Sequence, residues 1–305
     1  MSELIELIYA KKNIVVCSND AGGAEVLSSF IAANGISAKF LLCGPAIEIF
    51  QRKLEVSDRL LTELPPEYDL LLASTGWSTD FEFNNMFEAT NSGAQVIAAL
   101  DHWFAYPERF ERNGNVIGVT HLLVFDAEAK RKATSVFPNS KIYLEENFYL
   151  KDLVARHQSM ATKDTKIEYD FLFLCEPKSL DLKPEKQNDY SDIDSLKYFL
   201  NFLFSRNLTN ARVLVRPHPS EELDKYVPEI PADFINIIFD KEMGLDEAIS
   251  ISETVVGCNT MAMIVALEFG KNVYSVVPPP SRTKLSDSRI QQLTAWERSD
   301  FIHED

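Results

Sequence analysis

The sequence has few cysteines, and none of them has the spacing of a metal site or a disulfide framework. The four cysteines, Cys17, Cys43, Cys175 and Cys258, lie far apart, without a CxxC pair or a Cys/His ligand spacing. Isolated cysteines of this kind are typical of thiols in a reducing compartment. We therefore expect a cytoplasmic protein that holds no metal.

Basic residues are scarce beside acidic ones. Lys and Arg number 30 against 46 Asp and Glu, so the formal net charge is -16. Binding to a nucleic-acid backbone needs clustered Lys and Arg, so a nucleic-acid partner is not expected. A small anionic ligand held by a few local donors is compatible with this balance.

Long apolar runs are missing as well. No run approaches the ~20 residues of a membrane span. The first residues, MSELIELIYAKKNIVV, have acidic residues before any basic one and no small-residue cleavage site, which is unlike a signal peptide. We expect at most transient contact with a membrane.

Three common site motifs do not occur. No G-x-G-x-x-G follows a predicted strand, no serine lies in a nucleophile elbow, and no cluster of metal-ligating residues is apparent. The sequence therefore predicts neither a dinucleotide fingerprint nor a bound cofactor.

Short apolar runs alternate with helical stretches along the chain. The runs predict strands at 13–18, 38–43, 69–74, 95–100, 121–126, 141–144, 169–177, 211–219, 234–239, 253–258 and 272–278. Helical spacing predicts helices at 23–34, 45–54, 80–91, 127–134, 195–206, 245–250, 260–269 and 285–297. Strands this apolar, separated by helices, form parallel sheets that are covered on both faces.

The predicted fold class is therefore α/β, with two Rossmann-like domains facing each other across a cleft. The polar stretch 151–168 contains no clear strand and marks the boundary. We expect domains at 1–155 and 165–280, and a C-terminal helix within 281–305 that packs back on the first domain. Ligands of such sheets bind at the carboxyl ends of the strands, so the loops after strands are the candidate sites.

The hexapeptide RPHPSE, residues 216–221, directly follows the apolar run RVLV. Pro219 suits the first position of a helix, because it has no N–H to leave unpaired there. Arg216, His218 and Ser220 then lie at the carboxyl end of a strand. Arg and His both donate hydrogen bonds to phosphate. The segment indicates a phosphate-binding loop or, alternatively, a proline-stiffened surface loop.

The segment VGCNT, residues 256–260, links a buried strand to the apolar helix MAMIVALEF. Gly257 allows a close approach of the backbone, and Asn259 or Thr260 suits the cap of the helix. A helix N-terminus at the carboxyl edge of a sheet attracts anions. The sequence therefore predicts phosphate contacts here; the alternative is an ordinary capped core helix.

Two loops of the first half carry carboxylates after predicted strands. Asp20, in SNDAGGAE, either acts as a general base or caps the following helix. Asp101 and His102 follow QVIAAL and form a candidate acid/base pair or an acceptor-binding group.

A third loop, ASTGWSTD at 73–80, carries hydroxyls and an indole. Ser74 and Thr75 can bind sugar hydroxyls, and Trp77 either stacks on a sugar face or anchors the loop. Thr79 and Glu82 have the spacing of a capping box.

The RPHP motif and the later strand-GCNT-helix-GKNVY pattern together resemble the donor-binding domain of GT-B-fold glycosyltransferases. More narrowly, they resemble bacterial sialyltransferases, polysialyltransferases and capsule Kdo-transferases. Those families pair a His-Pro motif with a Ser/Thr motif at a helix start, and both contact the phosphate of a CMP-sugar. His218-Pro219 and Asn259-Thr260 are the matching positions. Val265 stands where many UDP-sugar enzymes of this fold have a ribose-binding Glu, which favours CMP.

This resemblance covers residues 169–280 and implies a metal-independent glycosyltransferase. It implies a nucleotide-sugar donor, most readily a CMP-linked acidic sugar, a glycan or glycoconjugate acceptor, and a place in the synthesis of capsule or lipopolysaccharide. The sialyltransferases carry an acidic residue before Gly in an early loop, which implies that Asp20 is the base. The alternatives are a nucleotide-sugar epimerase of the same architecture, a polyol-phosphate transferase with a CDP-linked donor, and a noncatalytic ligand-binding protein.

Overall fold

The structure is a computed structural model of the chain, and it describes residues 1–76, 79–103, 105–161, 166–176, 190–218, 221 and 223–296. The chain divides into two compact units, Met1–Lys151 and Asp152–Asp305. The division falls at the start of the polar stretch 151–168, in which the sequence places the boundary. Each unit has its own parallel sheet, its own helices and its own buried apolar core.

Unit 1 is built on a seven-stranded sheet in the order β3-β2-β1-β4-β5-β8-β9, in which every pairing is parallel. A separate antiparallel pair joins β6 to β7. The strands are β1 Ile14–Ser18, β2 Lys39–Leu42, β3 Leu60–Leu61, β4 Leu70–Ser74, β5 Gln95–Leu100, β6 Glu111–Arg112, β7 Asn115–Val116, β8 His121–Val124 and β9 Lys141–Leu144. The helices are α1 Glu3–Tyr9, α2 Ala21–Ala33, α3 Ala46–Lys53, α4 Phe81–Asn91 and α5 Ala127–Val136.

Unit 2 is built on a six-stranded sheet in the order β12-β11-β10-β13-β14-β15, also parallel throughout. Its strands are β10 Tyr169–Leu174, β11 Val213–Arg216, β12 Ile237–Phe239, β13 Ser252–Gly257, β14 Asn272–Ser275 and β15 Gln291–Gln292. Its helices are α7 Asp192–Ser205, α8 Leu245–Ser250 and α9 Ala262–Glu268. The α/β class, the two domains and the parallel sheets are therefore as the apolar runs predict.

Two parts of the chain differ from expectation. The first part of the polar stretch, 151–161, belongs to a helix, α6 Phe148–Ala161, which crosses the division between the units. Its buried side is narrow, because Leu153 is buried while most of its neighbours are exposed. Residues 151–159, KDLVARHQS, are mostly polar, so this part of the chain gives little apolar spacing from which to predict a helix.

The predicted C-terminal helix is wrong over its described part, residues 281–296. That segment contains the edge strand β15 and a short 3₁₀ turn, Leu293–Ala295. Trp296 packs against Phe171 and Phe202 in the core of unit 2. Because the Trp296 indole is buried in this core, the segment before it runs without an α-helix, which the helical spacing of its sequence does not show.

In both sheets the strand order reverses beside the first strand. In unit 1, β2 and β3 lie on one side of β1 while β4 lies on the other, and in unit 2, β13 lies on the opposite side of β10 from β11. Ligands of open parallel sheets bind at the carboxyl ends of the strands beside such a reversal. The loops after β1 and β4, and those after β10 and β13, are therefore the places where each unit can hold a ligand.

Candidate functional site

A buried carboxyl group organises the reversal point of unit 1. Glu82, in the first turn of α4, is fully buried. Its Oε1 accepts hydrogen bonds from the backbone N–H of Asn19 at 2.9 Å and of Asp20 at 3.2 Å, and from the Ser74 hydroxyl at 3.0 Å. The Ser74 hydroxyl also contacts that of Ser18, at 2.7 Å. One side chain thus ties the end of β1 to the end of β4.

The capping box predicted for Thr79 and Glu82 is wrong, since the Glu82 carboxyl serves the loop after β1 and Asp80 occupies the N-cap position of α4. Glu82 Oε2 has no hydrogen-bond partner among the described residues. Burial raises the pKa of the Glu82 carboxyl above its ordinary value, and the neighbouring charge of Asp20 raises that pKa further.

Asp20 is the N-cap residue of α2 by backbone geometry, with φ -66° and ψ 141°, yet its side chain makes no capping hydrogen bond. The carboxylate lies against Gly76 instead, where a Cβ would collide with Oδ2. The Asn19 side-chain amide approaches Asp20 Oδ1 at 3.4 Å. Of the two interpretations of Asp20, side-chain capping is therefore wrong, and the role of general base stays a prediction.

Asp101, directly after β5, is paired with the buried guanidinium of Arg109. The distance from Arg109 Nη1 to Asp101 Oδ1 is 2.7 Å, and the same guanidinium donates to Thr75 Oγ1 at 3.0 Å and to the Thr75 carbonyl. The other oxygen of Asp101 faces α2, where a Cβ on Gly22 would lie 2.7 Å from Oδ2. Asp101 and Asp20 therefore both flank the first turn of α2.

His102 accepts a hydrogen bond at Nδ1 from the backbone N–H of Trp103, 2.8 Å away. In its neutral form the ring therefore carries its proton on Nε2. The Trp103 indole is buried and donates to Asp126 Oδ2 at 2.8 Å, so it packs in the fold.

The hydroxyls predicted to bind the acceptor point inward. Ser74 is held by Ser18 and Glu82, and the Thr75 hydroxyl donates to the Ala99 carbonyl at 2.8 Å. Both side chains are buried. Trp77 lies outside the described residues. The structure thus gives Ser74 and Thr75 contacts that hold the strand ends together.

In unit 2, Arg216 ends β11 and His218 follows two residues later, both half-buried. Arg216 Nη1 donates to the Lys241 carbonyl at 3.3 Å, and the His218 carbonyl accepts from the N–H of Glu221 at 2.9 Å. Ser220 lies outside the described residues. Because β11 pairs with β10, this loop adjoins the reversal point of the sheet.

Asn259 is a buried crosslink between loops. Its N–H donates to Glu176 Oε2 at 3.1 Å, and its Nδ2 donates to the Tyr190 hydroxyl at 3.0 Å. Its Oδ1 accepts from Lys284 N at 2.6 Å and from Thr283 Oγ1 at 3.3 Å. The carboxamide therefore fastens the loop after β13 to the segments around 190 and 284.

The helix start predicted at Asn259 and Thr260 is displaced. α9 begins at Ala262 with Met261 as N-cap, because the Asn259 side chain is engaged elsewhere, while Thr260 Oγ1 accepts from Ala262 N at 3.3 Å. At Gly257, an added Cβ would lie 3.0 Å from Met263 Sδ. The lack of a side chain at Gly257 therefore leaves room for the buried Met263 side chain.

Two carboxylates at the reversal points were missed by the sequence interpretation. Glu176 lies two residues after the end of β10, and a position just after a strand is the same signal that singles out Asp20 and Asp101. Glu82 has no such signal, because its partners are 62 and 63 residues away along the chain. Within the described ranges, no group of three or more His, Cys, Asp or Glu is placed to hold a metal ion, and no helix is long and apolar enough to cross a membrane.

No protein-family model and no curated protein matches the chain. Solved structures do resemble it. The UDP-GlcNAc 2-epimerase of Neisseria meningitidis bound to UDP-GlcNAc has a TM-score of 0.60 at 12% identity, over 87% of this chain and 82% of that one. The UDP-GlcNAc 2-epimerase of Methanocaldococcus jannaschii in complex with UDP-GlcNAc and UDP has a TM-score of 0.60 at 12% identity, over 87% of this chain and 83% of that one. The UDP-N-acetylglucosamine 2-epimerase of Rickettsia bellii has a TM-score of 0.58 at 9% identity, over 87% of this chain and 78% of that one. At such identities the likeness is one of fold, and the fold is GT-B.

Proposed function

We propose that the chain is a metal-independent glycosyltransferase that binds a nucleotide-activated sugar in unit 2 and a glycan or glycoconjugate acceptor in unit 1. The observation that carries the proposal is the place of Arg216 and His218. They stand at the carboxyl end of β11, beside the strand reversal of a doubly wound parallel sheet. That is where such sheets bind nucleotides.

The donor end of the proposal rests on charge. When the bond between sugar and nucleotide breaks, the leaving phosphate gains negative charge, and donors already in place lower the barrier to that step. The Arg216 guanidinium offers paired N–H groups to two phosphate oxygens, and His218 offers one more donor.

A CMP-linked acidic sugar is the donor that we favour. Position 265, where UDP-sugar enzymes of this fold place a ribose-binding Glu, is a buried valine of α9, and it cannot bind hydroxyls. Transfer of such a sugar to a surface polysaccharide would place the enzyme in capsule or lipopolysaccharide synthesis.

Asp20 is the base in this proposal. Its carboxylate takes the proton of an acceptor hydroxyl, the freed oxygen attacks the anomeric carbon, and the nucleotide leaves with the electrons of the broken bond. A positioned base of this kind contributes ~10²–10⁴ in rate. Asp101 is already paired with Arg109, which makes it the weaker candidate; His102, with its proton on Nε2, can donate a hydrogen bond to the acceptor.

A nucleotide-sugar epimerase is the second candidate, because the solved structures of similar fold include epimerases that hold UDP-GlcNAc and cover 87% of this chain. An epimerase converts its nucleotide sugar without any acceptor. A transferase releases nucleotide at full rate only when the acceptor is present.

The test is thermal unfolding with CMP, CDP, UMP, UDP, GDP and NAD. A ligand at ~100 times its Kd stabilises the folded state by ~2.7 kcal/mol. We expect stabilisation by CMP that is lost in His218→Ala and Arg216→Gln. Arg206→Gln is the matched control, because Arg206 is exposed at the end of α7, which leads to the opposite edge of the same sheet.

Each other outcome has a clear meaning. Stabilisation by UDP alone would favour the epimerase, followed by an assay for conversion of UDP-GlcNAc without acceptor. Stabilisation by CMP that persists in both His218→Ala and Arg216→Gln would show that the nucleotide does not bind at the β11 loop. No stabilisation by any of the six ligands contradicts the proposed function.

A further inference from the structure

The loop that carries Asp20 is held from two sides. On one side, the Asn19 and Asp20 N–H groups donate to Glu82 Oε1. On the other, the Ser18 and Asn19 carbonyls accept from Cys43 N at 3.1 Å and from Ala46 N at 3.3 Å. The backbone of residues 18–20 thus has fixed partners in both directions, and Glu82 supplies one of them.

A buried glutamate at position 82 supplies that partner at a cost in folding stability. A carboxyl group buried with one oxygen unpartnered among the described residues loses hydration that hydrogen bonds do not replace. A glutamine presents the same acceptor without an ionisable group. Residues that cost stability in this way concentrate where a site must be held in one geometry.

We propose that Glu82 is a positioning residue for Asp20: its buried carboxyl clamps the Asn19–Asp20 backbone and thereby directs the Asp20 carboxylate over Gly76. The inference rests on the proposed role of Asp20 as base. It adds a residue on α4 to the machinery, one that touches neither donor nor acceptor. The Asp20 N–H is one of the two that Glu82 holds, so the clamp fixes the backbone from which the Asp20 side chain extends.

Hydrogen exchange tests the clamp without any substrate. We expect amide exchange in a peptide spanning 18–24 to be at least about tenfold faster in Glu82→Met than in the wild type. Glu82→Gln keeps an acceptor oxygen and should leave the exchange nearly unchanged. Glu88→Gln removes a charge from an exposed position of the same helix and is the control. Unchanged exchange in Glu82→Met overturns the clamp.

Turnover tests what the clamp is for. With CMP-sialic acid as donor probe, Glu82→Met should lower kcat for acceptor-dependent CMP release while stabilisation by CMP stays at the wild-type level. Glu82→Gln should recover most of the lost rate. Adding Glu82→Met to Asp20→Asn should slow the reaction no further, because residues that act through one group are not additive. A further loss of the same size would show that Glu82 does not act through Asp20.

The two failures are distinguishable. If the wild type shows neither nucleotide stabilisation nor CMP release, the proposed function fails, and the exchange of residues 18–24 alone decides whether Glu82 holds the Asp20 loop. If the wild type is active and Glu82→Met keeps its full kcat, the positioning role is wrong and the proposed function stands.

Discussion

Among single residues, Glu82 should leave a signature in the pH dependence of stability. Its folded-state pKa is raised above the ordinary 4.5 by burial and by Asp20. The folded protein therefore holds this proton more tightly than the unfolded chain, and stability falls as pH rises from 4.5 through the folded pKa. Below 4.5 both states are protonated and this difference vanishes.

Glu82→Gln cannot ionise at this position, so we expect its unfolding free energy, relative to the wild type, to increase with pH above 4.5. Denaturant unfolding of both proteins from pH 4 to pH 8 measures this difference in unfolding free energy. The charged neighbour is Asp20, and the adjacent Cys17 is a buried thiol whose pKa is raised by burial. Parallel curves for Glu82→Gln, Glu88→Gln and the wild type would contradict the expectation.

The buried guanidinium of Arg109 should matter for folding as well as for the site. Arg109→Met leaves the Asp101 carboxylate and the Thr75 carbonyl without their cation. Removing one partner of a fully buried ion pair costs ~3–5 kcal/mol, and because the Asp101 side chain is partly exposed, we expect a loss of up to about 3 kcal/mol. The double variant Arg109→Met/Asp101→Asn should recover part of this loss, and equal midpoints of urea unfolding for the single and double variants would refute the coupling.

The site residues that the sequence reveals share one property, which is that they lie at the carboxyl end of a buried strand or within two residues of it. Asp20, Asp101 and Arg216 were found in this way. Glu82 was assigned to a local capping box, because nothing in a sequence shows that an acid in a first helical turn reaches a loop more than sixty residues earlier. Asn259 looked like a helix cap for the same reason, since its partners at 190 and 284 are remote.

Among the secondary-structure elements, the contact of α2 with β4 depends on a glycine. A Cβ on Gly23 would lie 2.7 Å from the Ser74 Cβ, inside the buried core. Although alanine favours a helix over glycine by ~1 kcal/mol, we expect Gly23→Ala to destabilise the protein by about 1–3 kcal/mol through overpacking. Gly118→Ala, where the space is open, is the control. Equal thermal midpoints for the two variants would contradict this.

The elements that the sequence does not predict are those whose conformation depends on packing against residues far away along the chain. Most strands of both sheets carry dense apolar runs and were predicted near their true positions, whereas the two-residue edge strands β3 and β15 were not predicted. The segment 285–297 has helical spacing, yet β15 pairs with β14 and Trp296 enters the core of unit 2. α6 was missed for the opposite reason, since its residues after 150 are mostly polar and Leu153 is the buried one among its described side chains.

For the whole molecule, the alternation of strands and helices was sufficient to predict two α/β domains. It could not predict the strand orders, which the sequence does not encode locally. Those orders place the reversal beside β1 in one unit and beside β10 in the other. The nucleotide site that we propose therefore lies at the carboxyl edge of the unit 2 sheet, beside β10.

Hydrogen exchange with and without CMP tests this proposed site. We expect added protection in peptides that cover 174–176, 214–218 and 256–261, with little change in the peptide 18–24 of unit 1. His218→Ala should abolish the added protection. Protection confined to unit 1, or none at the carboxyl edge of the unit 2 sheet at saturating nucleotide, would rule this site out.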